Sequence, residues 1–134
     1  MKIVKMEDLI GTDREVVCPR GGFTSFRALL AKDSMGFSVH KTIIPAGDVQ
    51  HWHYKHHLEA CFCIEGRGRL QVPSGEHWLI EPDTIYVLDK HDDHTFQAIT
   101  ERVVLISIFN PPITGTEVHR DDGSYESSEE KIDD

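Results

Sequence analysis

Cysteine is scarce and odd in number. Cys18, Cys61 and Cys63 are the only three in 134 residues. That count excludes a closed disulfide framework and points to reduced thiols in a cytoplasm. No run of 18 apolar residues occurs, which excludes a membrane-spanning helix. Met1–Ile10 is charged throughout and has no apolar centre, so no export signal is expected there. Bases are outnumbered, 14 against 23 acids, for a net charge of -9; no nucleic acid and no anionic membrane surface is expected as a partner. Helical patterning is scarce too, with room for a turn or two only at Lys5–Ile10. No repeat of solenoid length is visible.

What is present is an ordinary globular balance, 39% hydrophobic and 28% charged, in a chain long enough for one domain with a real core. From Arg120 to Asp134 seven acids meet two bases, so residues 120–134 are expected to form a solvated, disordered acidic tail on a domain spanning 1–119. The domain reads as short strands: Ser25–Leu30, Phe37–Ile44, Leu58–Glu65, Gly68–Val72, His77–Ile80, Thr84–Leu88, His94–Ala98 and Val103–Phe109. Turns are marked by Pro45-Ala46-Gly47, Glu65-Gly66, Pro73-Ser74-Gly75 and Pro82-Asp83. Eight such strands predict an all-β double-sheet jelly roll.

The densest chemistry lies in His51-Trp-His53-Tyr-Lys55-His56-His57-Leu-Glu59. Imidazole and carboxylate suit iron, zinc and manganese. In an extended strand, alternate side chains share a face. His53, Lys55, His57, Glu59, Cys61 and Cys63 then point one way, and Leu58, Ala60, Phe62 and Ile64 the other, where an apolar face must be covered. A buried Glu59 needs a metal or a cation as partner; a Glu59–Lys55 ion pair is the plain alternative. Cys61 and Cys63 read as small filler inside the barrel. His51, His56 and His57 read as solvated or hydrogen-bonding.

Gly47, His53, Glu59 and Gly66 fall at the spacing of the first cupin motif, with Lys55 in place of its second histidine. The second motif is degenerate here and keeps His94 alone. This resembles a cupin, a double-stranded β-helix. A longer likeness runs through Tyr54-Lys-His-His-Leu-Glu-Ala60, Tyr86-Val-Leu-Asp-Lys-His-Asp-Asp-His94 and Phe109-Asn-Pro-Pro-Ile-Thr-Gly115 with Glu117-Val-His119. These stretches are similar to the ectoine synthases. That resemblance implies iron (Fe2+), with other divalent transition metals possible, on Glu59, Tyr86 and His94, with His53 nearby. It implies a substrate site of Phe23, Ser25, Arg27, His40, Thr42, Tyr54, Ser107 and Phe109, with Glu117 and His119 for proton transfer. It implies a homodimer as well. The family usually has tryptophan at the place of Phe23, often cysteine at that of Ser107, and Pro-Gly-Asp where this chain has Pro82-Asp83-Thr84.

The reaction so implied converts N-γ-acetyl-L-2,4-diaminobutyrate to ectoine with loss of water, a hydro-lyase step in osmoprotectant synthesis. The amine must be neutral to attack the acetamide carbonyl, which is a poor electrophile and gains from a Lewis acid. Arg27 offers the fork that suits the substrate carboxylate. Two other readings stay open. One is another small metallo-cupin, an oxygenase or isomerase, using His53, Glu59 and His94 and leaving Tyr86 free. The other is a cupin that binds a small molecule without turnover.

Overall fold

The computed structural model describes residues 1–18, 22–47 and 49–115. Ten strands make up the described part: β1 Glu15–Val17, β2 Thr24–Leu29, β3 Ser38–Ile44, β4 Gln50–Trp52, β5 Leu58–Glu65, β6 Gly68–Gln71, β7 His77–Ile80, β8 Ile85–Leu88, β9 His94–Ala98 and β10 Val103–Asn110. They form two antiparallel sheets. The larger has the order β1-β2-β3-β10-β5-β8 and the smaller β4-β9-β6-β7. Eight strands match the sequence reading to within a residue at each end; β1 and β4 are additional. At Lys5–Ile10 there is a 3-10 turn, Met6–Leu9, which packs Leu9 and Met6 onto Phe26 and Ala28. It covers the outward face of β2, so β2 is buried on both sides. Among the described residues no helix is long and apolar enough to cross a membrane.

Alternation decides what faces inward. Along β3 every second residue is buried, placing Ser38, His40, Thr42 and Ile44 inside. Along β5 Glu59, Cys61 and Cys63 are buried while Leu58, Phe62 and Ile64 are exposed. The core between the sheets contains Ile44, Phe96, Val103, Leu105 and Ile113, all closed to solvent. Phe96 is its hub: Trp52 stacks on it at 6.4 Å and Tyr86 at 6.1 Å between centroids. Gly68 lies against the same ring, and a Cβ there would run into it, so this strand position has room only for glycine.

The expected continuation of the β5 face back through Lys55 and His53 is not found; His57 alone keeps it, buried like Glu59. Residues 53–57 lie outside any strand, because the chain passes there from the smaller sheet to the larger. His57 is buried, at 1% exposure, with its ring edge-on to Phe109 at 6.0 Å; the expectation of a solvated ring is corrected to an interior one.

Candidate active site

Strand register lines up a row of polar side chains on the inner wall. Arg27 pairs with His40, His40 with Ser107, Ser107 with Cys61 and Cys61 with Tyr86. The row crosses β2, β3, β10, β5 and β8, and all five residues are buried. A second row sets Phe109 beside Glu59 and Glu59 beside Leu88. Inward alternation therefore collects groups from five strands that are far apart in sequence.

These rows wall a narrow chamber. His40, Thr42, Ser107, Glu59 and Cys61 supply its polar side, and Phe23, Trp52, Tyr54, Leu105 and Phe109 its apolar side. Thr42 Oγ1 and Ser107 Oγ lie 3.2 Å apart, and Ser107 Oγ lies 3.6 Å from Cys61 Sγ. Phe23, standing where the resembled family usually has tryptophan, meets Trp52 edge-on at 5.4 Å. Of the eight residues expected to meet substrate, six line this chamber. Ser25 and Arg27 do not; they are buried behind His40. Arg27 spends Nη1 on the Gly115 carbonyl at 2.6 Å and Nε on Ser25 at 3.4 Å. Trp52, Cys61 and Leu105 were not foreseen as lining residues. Alternation gave the signal for all three: Cys61 follows from Glu59, Leu105 from Ser107 and Phe109, and Trp52 from Tyr54. Glu117 and His119 lie outside the described residues, as does the acidic tail.

Four buried polar atoms have no hydrogen-bond partner: Glu59 Oε1 and His40 Nε2 on this chamber, and Tyr86 OH and His94 Nε2 on a second groove. Orphaned buried atoms are rare and ask for an explanation. Burial lifts the Glu59 carboxyl to about 8, partly offset by hydrogen bonds from Cys61 and Ser107. Burial also raises the Tyr86 phenol, reinforced by Cys61 and Glu59 nearby. It lowers His94 and so keeps that ring neutral. His94 Nδ1 lies 3.0 Å from the Asp92 carbonyl. A carbonyl only accepts, so Nδ1 carries the hydrogen and Nε2 presents a lone pair, the form a metal-binding imidazole takes. Tyr86 and His94 share one groove lined from β6, β7, β8 and β9, and Glu59 stands close enough to Tyr86 to raise its phenol.

A carboxyl, a phenol and a neutral imidazole, each with one unsatisfied buried atom, form a donor set that fits a divalent transition metal such as iron. The set with His53 in place of Tyr86 fits less well. Among the described residues no three histidine, cysteine, aspartate or glutamate side chains are placed to hold a metal ion. His53 is 27% exposed and faces Asp93 at 3.9 Å.

Comparison with known proteins gives the lineage. The ectoine synthase family model matches residues 1–129. The L-ectoine synthase of Wolinella succinogenes is 50% identical over 126 residues, covering 93% of this chain and 95% of that protein. A crystal structure of ectoine synthase from P. lautus superposes with a TM-score of 0.80 at 38% identity, over 86% of this chain and 81% of that one. A cupin domain of an XRE-family transcriptional regulator from Enterobacter cloacae has a TM-score of 0.57 at 16% identity, over 68% of this chain and 98% of that one, and shows the fold alone. The barrel is thus a cupin, and likeness extending over nearly its whole length places the chain in the ectoine synthase family.

Proposed function

We propose that this protein is a hydro-lyase that closes N-γ-acetyl-L-2,4-diaminobutyrate to ectoine with loss of water, on a metal held by Glu59, Tyr86 and His94. Membership of the ectoine synthase family supports the reaction. One observation supports the site: the orphaned Glu59, Tyr86 and His94 atoms on the inner wall. A bound divalent metal, iron(II) for preference, would supply Lewis acidity toward the acetamide oxygen.

The chain's own residues do the rest. Phe23, Trp52, Tyr54, Leu105 and Phe109 form a closely fitting apolar wall. It folds the flexible substrate so that its free amine meets the acetamide carbon, an arrangement that can recover about 7–11 kcal/mol in favourable ring closures. Excluding water from the chamber also disfavours return to the open form. The nitrogen–carbon bond forms as the neutral amine gives up its two protons in turn; the acetamide oxygen takes both, its bond to carbon breaks as the carbon–nitrogen double bond of the amidine forms, and it leaves as water. Glu117 and His119 are the proposed carriers of those protons. A cytoplasmic setting goes with this reading, and the three free cysteines support it.

Incubating iron-loaded protein with the acetylated diamine and following ectoine by chromatography tests the reaction. Ectoine should accumulate with a stoichiometric loss of substrate. Dioxygen consumption with no cyclised product would sink the proposal.

We also propose a homodimer. The outer face of β10, β5 and β8 carries Phe62, Ile64, Ile85, Val87 and Ile108, all exposed, and register sets Ile108, Ala60 and Val87 side by side across three strands. A contiguous apolar patch of that kind is a contact surface. Light scattering should give twice the 15.3 kDa chain mass, and Phe62→Asp with Val87→Asp should give a single chain. A wild-type mass of one chain across micromolar concentrations rules the dimer out.

A further inference from the structure

Two buried histidines, His40 on the chamber wall and His94 on β9, use the same ring atoms in opposite ways. His94 donates from Nδ1 and leaves a lone pair at Nε2. At His40, Nδ1 lies 3.3 Å from Ser25 Oγ, and that hydroxyl is 3.4 Å from Arg27 Nε. Arg27 has hydrogens to give and nothing with which to accept, so its bond runs toward the serine. Ser25 is 1% exposed, and its own proton needs an acceptor. His40 Nδ1 is the hydroxyl's other hydrogen-bond partner among the described residues. The bonds therefore run from Arg27 Nε–H to Ser25 Oγ, and from Ser25 Oγ–H to His40 Nδ1. The hydrogen of the neutral ring must then sit on Nε2. Nε2 is buried without a partner, on a ring that lines the chamber.

We propose that Arg27 and Ser25 are positioning residues that lock His40 as its Nε2–H tautomer, making His40 a neutral hydrogen-bond donor to the substrate carboxylate. This deepens the ectoine synthase reading and rests on it for the identity of the ligand. The place of the carboxylate follows from the charge beside His40. His40 stands on β3, three strands from Tyr86 on β8, and next to the buried Arg27 cation. An anion is favoured beside a buried cation. Neutrality of the ring is supported separately: burial, and then the charges of Arg27 and His57, hold His40 down to about 3. Arg27 acts through Ser25, held in place by the Gly115 carbonyl at 2.6 Å, and not by gripping the substrate from the chamber wall.

Two measurements test this on full-length protein loaded with diamagnetic zinc(II). Long-range proton–nitrogen NMR reads the tautomer, with the His40 signals identified by their loss in His40→Gln. The wild type should show a neutral ring with hydrogen on Nε2 at neutral pH, and Ser25→Ala should show a mixture of tautomers. A wild-type ring protonated at Nδ1 overturns the relay. Calorimetric titration reads the contact. His40→Leu should bind N-γ-acetyl-L-2,4-diaminobutyrate about 10–100-fold more weakly, the range for one hydrogen bond to a charged group. Ser25→Ala should weaken it roughly threefold to tenfold. His40→Gln, which carries an N–H to nearly the same place, should restore most of the affinity. N-acetyl-1,3-diaminopropane lacks the carboxylate and should bind wild type and His40→Leu alike. Equal weakening for both ligands, or for neither, overturns the carboxylate contact. Neither measurement needs turnover, so a failure to form ectoine sinks the proposed reaction without deciding this inference.

Discussion

Tyr86→Phe should lower metal affinity and turnover each by more than about 100-fold, the upper range for losing an outer partner alone, while making the metal-free protein more stable. The two effects have one cause. The Tyr86 ring is 8% exposed and stacked on Phe96, so phenylalanine keeps the packing and removes only the hydroxyl. In the metal-free chain that hydroxyl is buried without a hydrogen-bond partner. Such a group costs about 1–3 kcal/mol, which its deletion returns. With metal bound, the oxygen would become a donor that carbon cannot replace. His53→Ala provides the contrast. His53 faces Asp93 and is partly exposed, so most of the metal should remain. Elemental analysis after iron reconstitution and thermal melts of chelator-treated protein read both halves. Full occupancy and normal turnover in folded Tyr86→Phe, with an empty site in His53→Ala, would return the metal to His53, Glu59 and His94.

What could be read from the sequence divides along a physical line. Leu58–Glu65 and His94–Ala98 are strands with the expected bounds, since each stays in one sheet and alternates along most or all of its length; His77–Ile80 also has them, though three of its four residues are exposed. The inward placing of Glu59 follows from that alternation. Glu15–Val17 and Gln50–Trp52 are three residues each, too short for alternation to register. Extrapolation back from Glu59 to His53 failed because β4 and β5 belong to different sheets, and a chain changing sheets cannot hold one face. The turn at Pro82-Asp83 was legible, and the structure adds the backbone conformation. Asp83 has φ of 68°, a left-handed conformation that glycine adopts freely and aspartate tolerates, at the place where the resembled family usually has glycine. Arg27 was not legible in the same way. Its anchor, Gly115, is 88 residues distant, and no local pattern says whether a buried guanidinium faces a ligand or supports a neighbour that does.

Metal-free protein should lose stability as the pH rises from 6.5 to 8, and Glu59→Gln should abolish that loss. The folded Glu59 carboxyl is raised by burial from 4.5 to about 8. Between those values the folded chain holds a proton that the unfolded chain has released, so stability falls as pH rises. The stabilising contribution is complete below pH 4.5 and gone above about 8. The whole span corresponds to about 5 kcal/mol at about 1.4 kcal/mol per unit. His40 pulls the other way. It is lowered from 6.5 to about 3, so its contribution is lost as pH falls below 6.5 and is constant above it. The interval from 6.5 to 8 therefore isolates Glu59, with about 2 kcal/mol to be seen. Urea denaturation of chelator-treated wild type at the two pH values should show this fall, and glutamine, which does not titrate, should give equal values. Metal reverses the sign. It would need the carboxylate and the phenolate, so binding should release a proton from each of Glu59 and Tyr86, and affinity should climb about tenfold per pH unit for each proton released. Above about 8 only the Tyr86 proton is left to displace, and the climb should halve on a logarithmic scale. A wild type with the same pH dependence as Glu59→Gln would mean that the carboxylate is already ionised in the metal-free fold, paired with a cation.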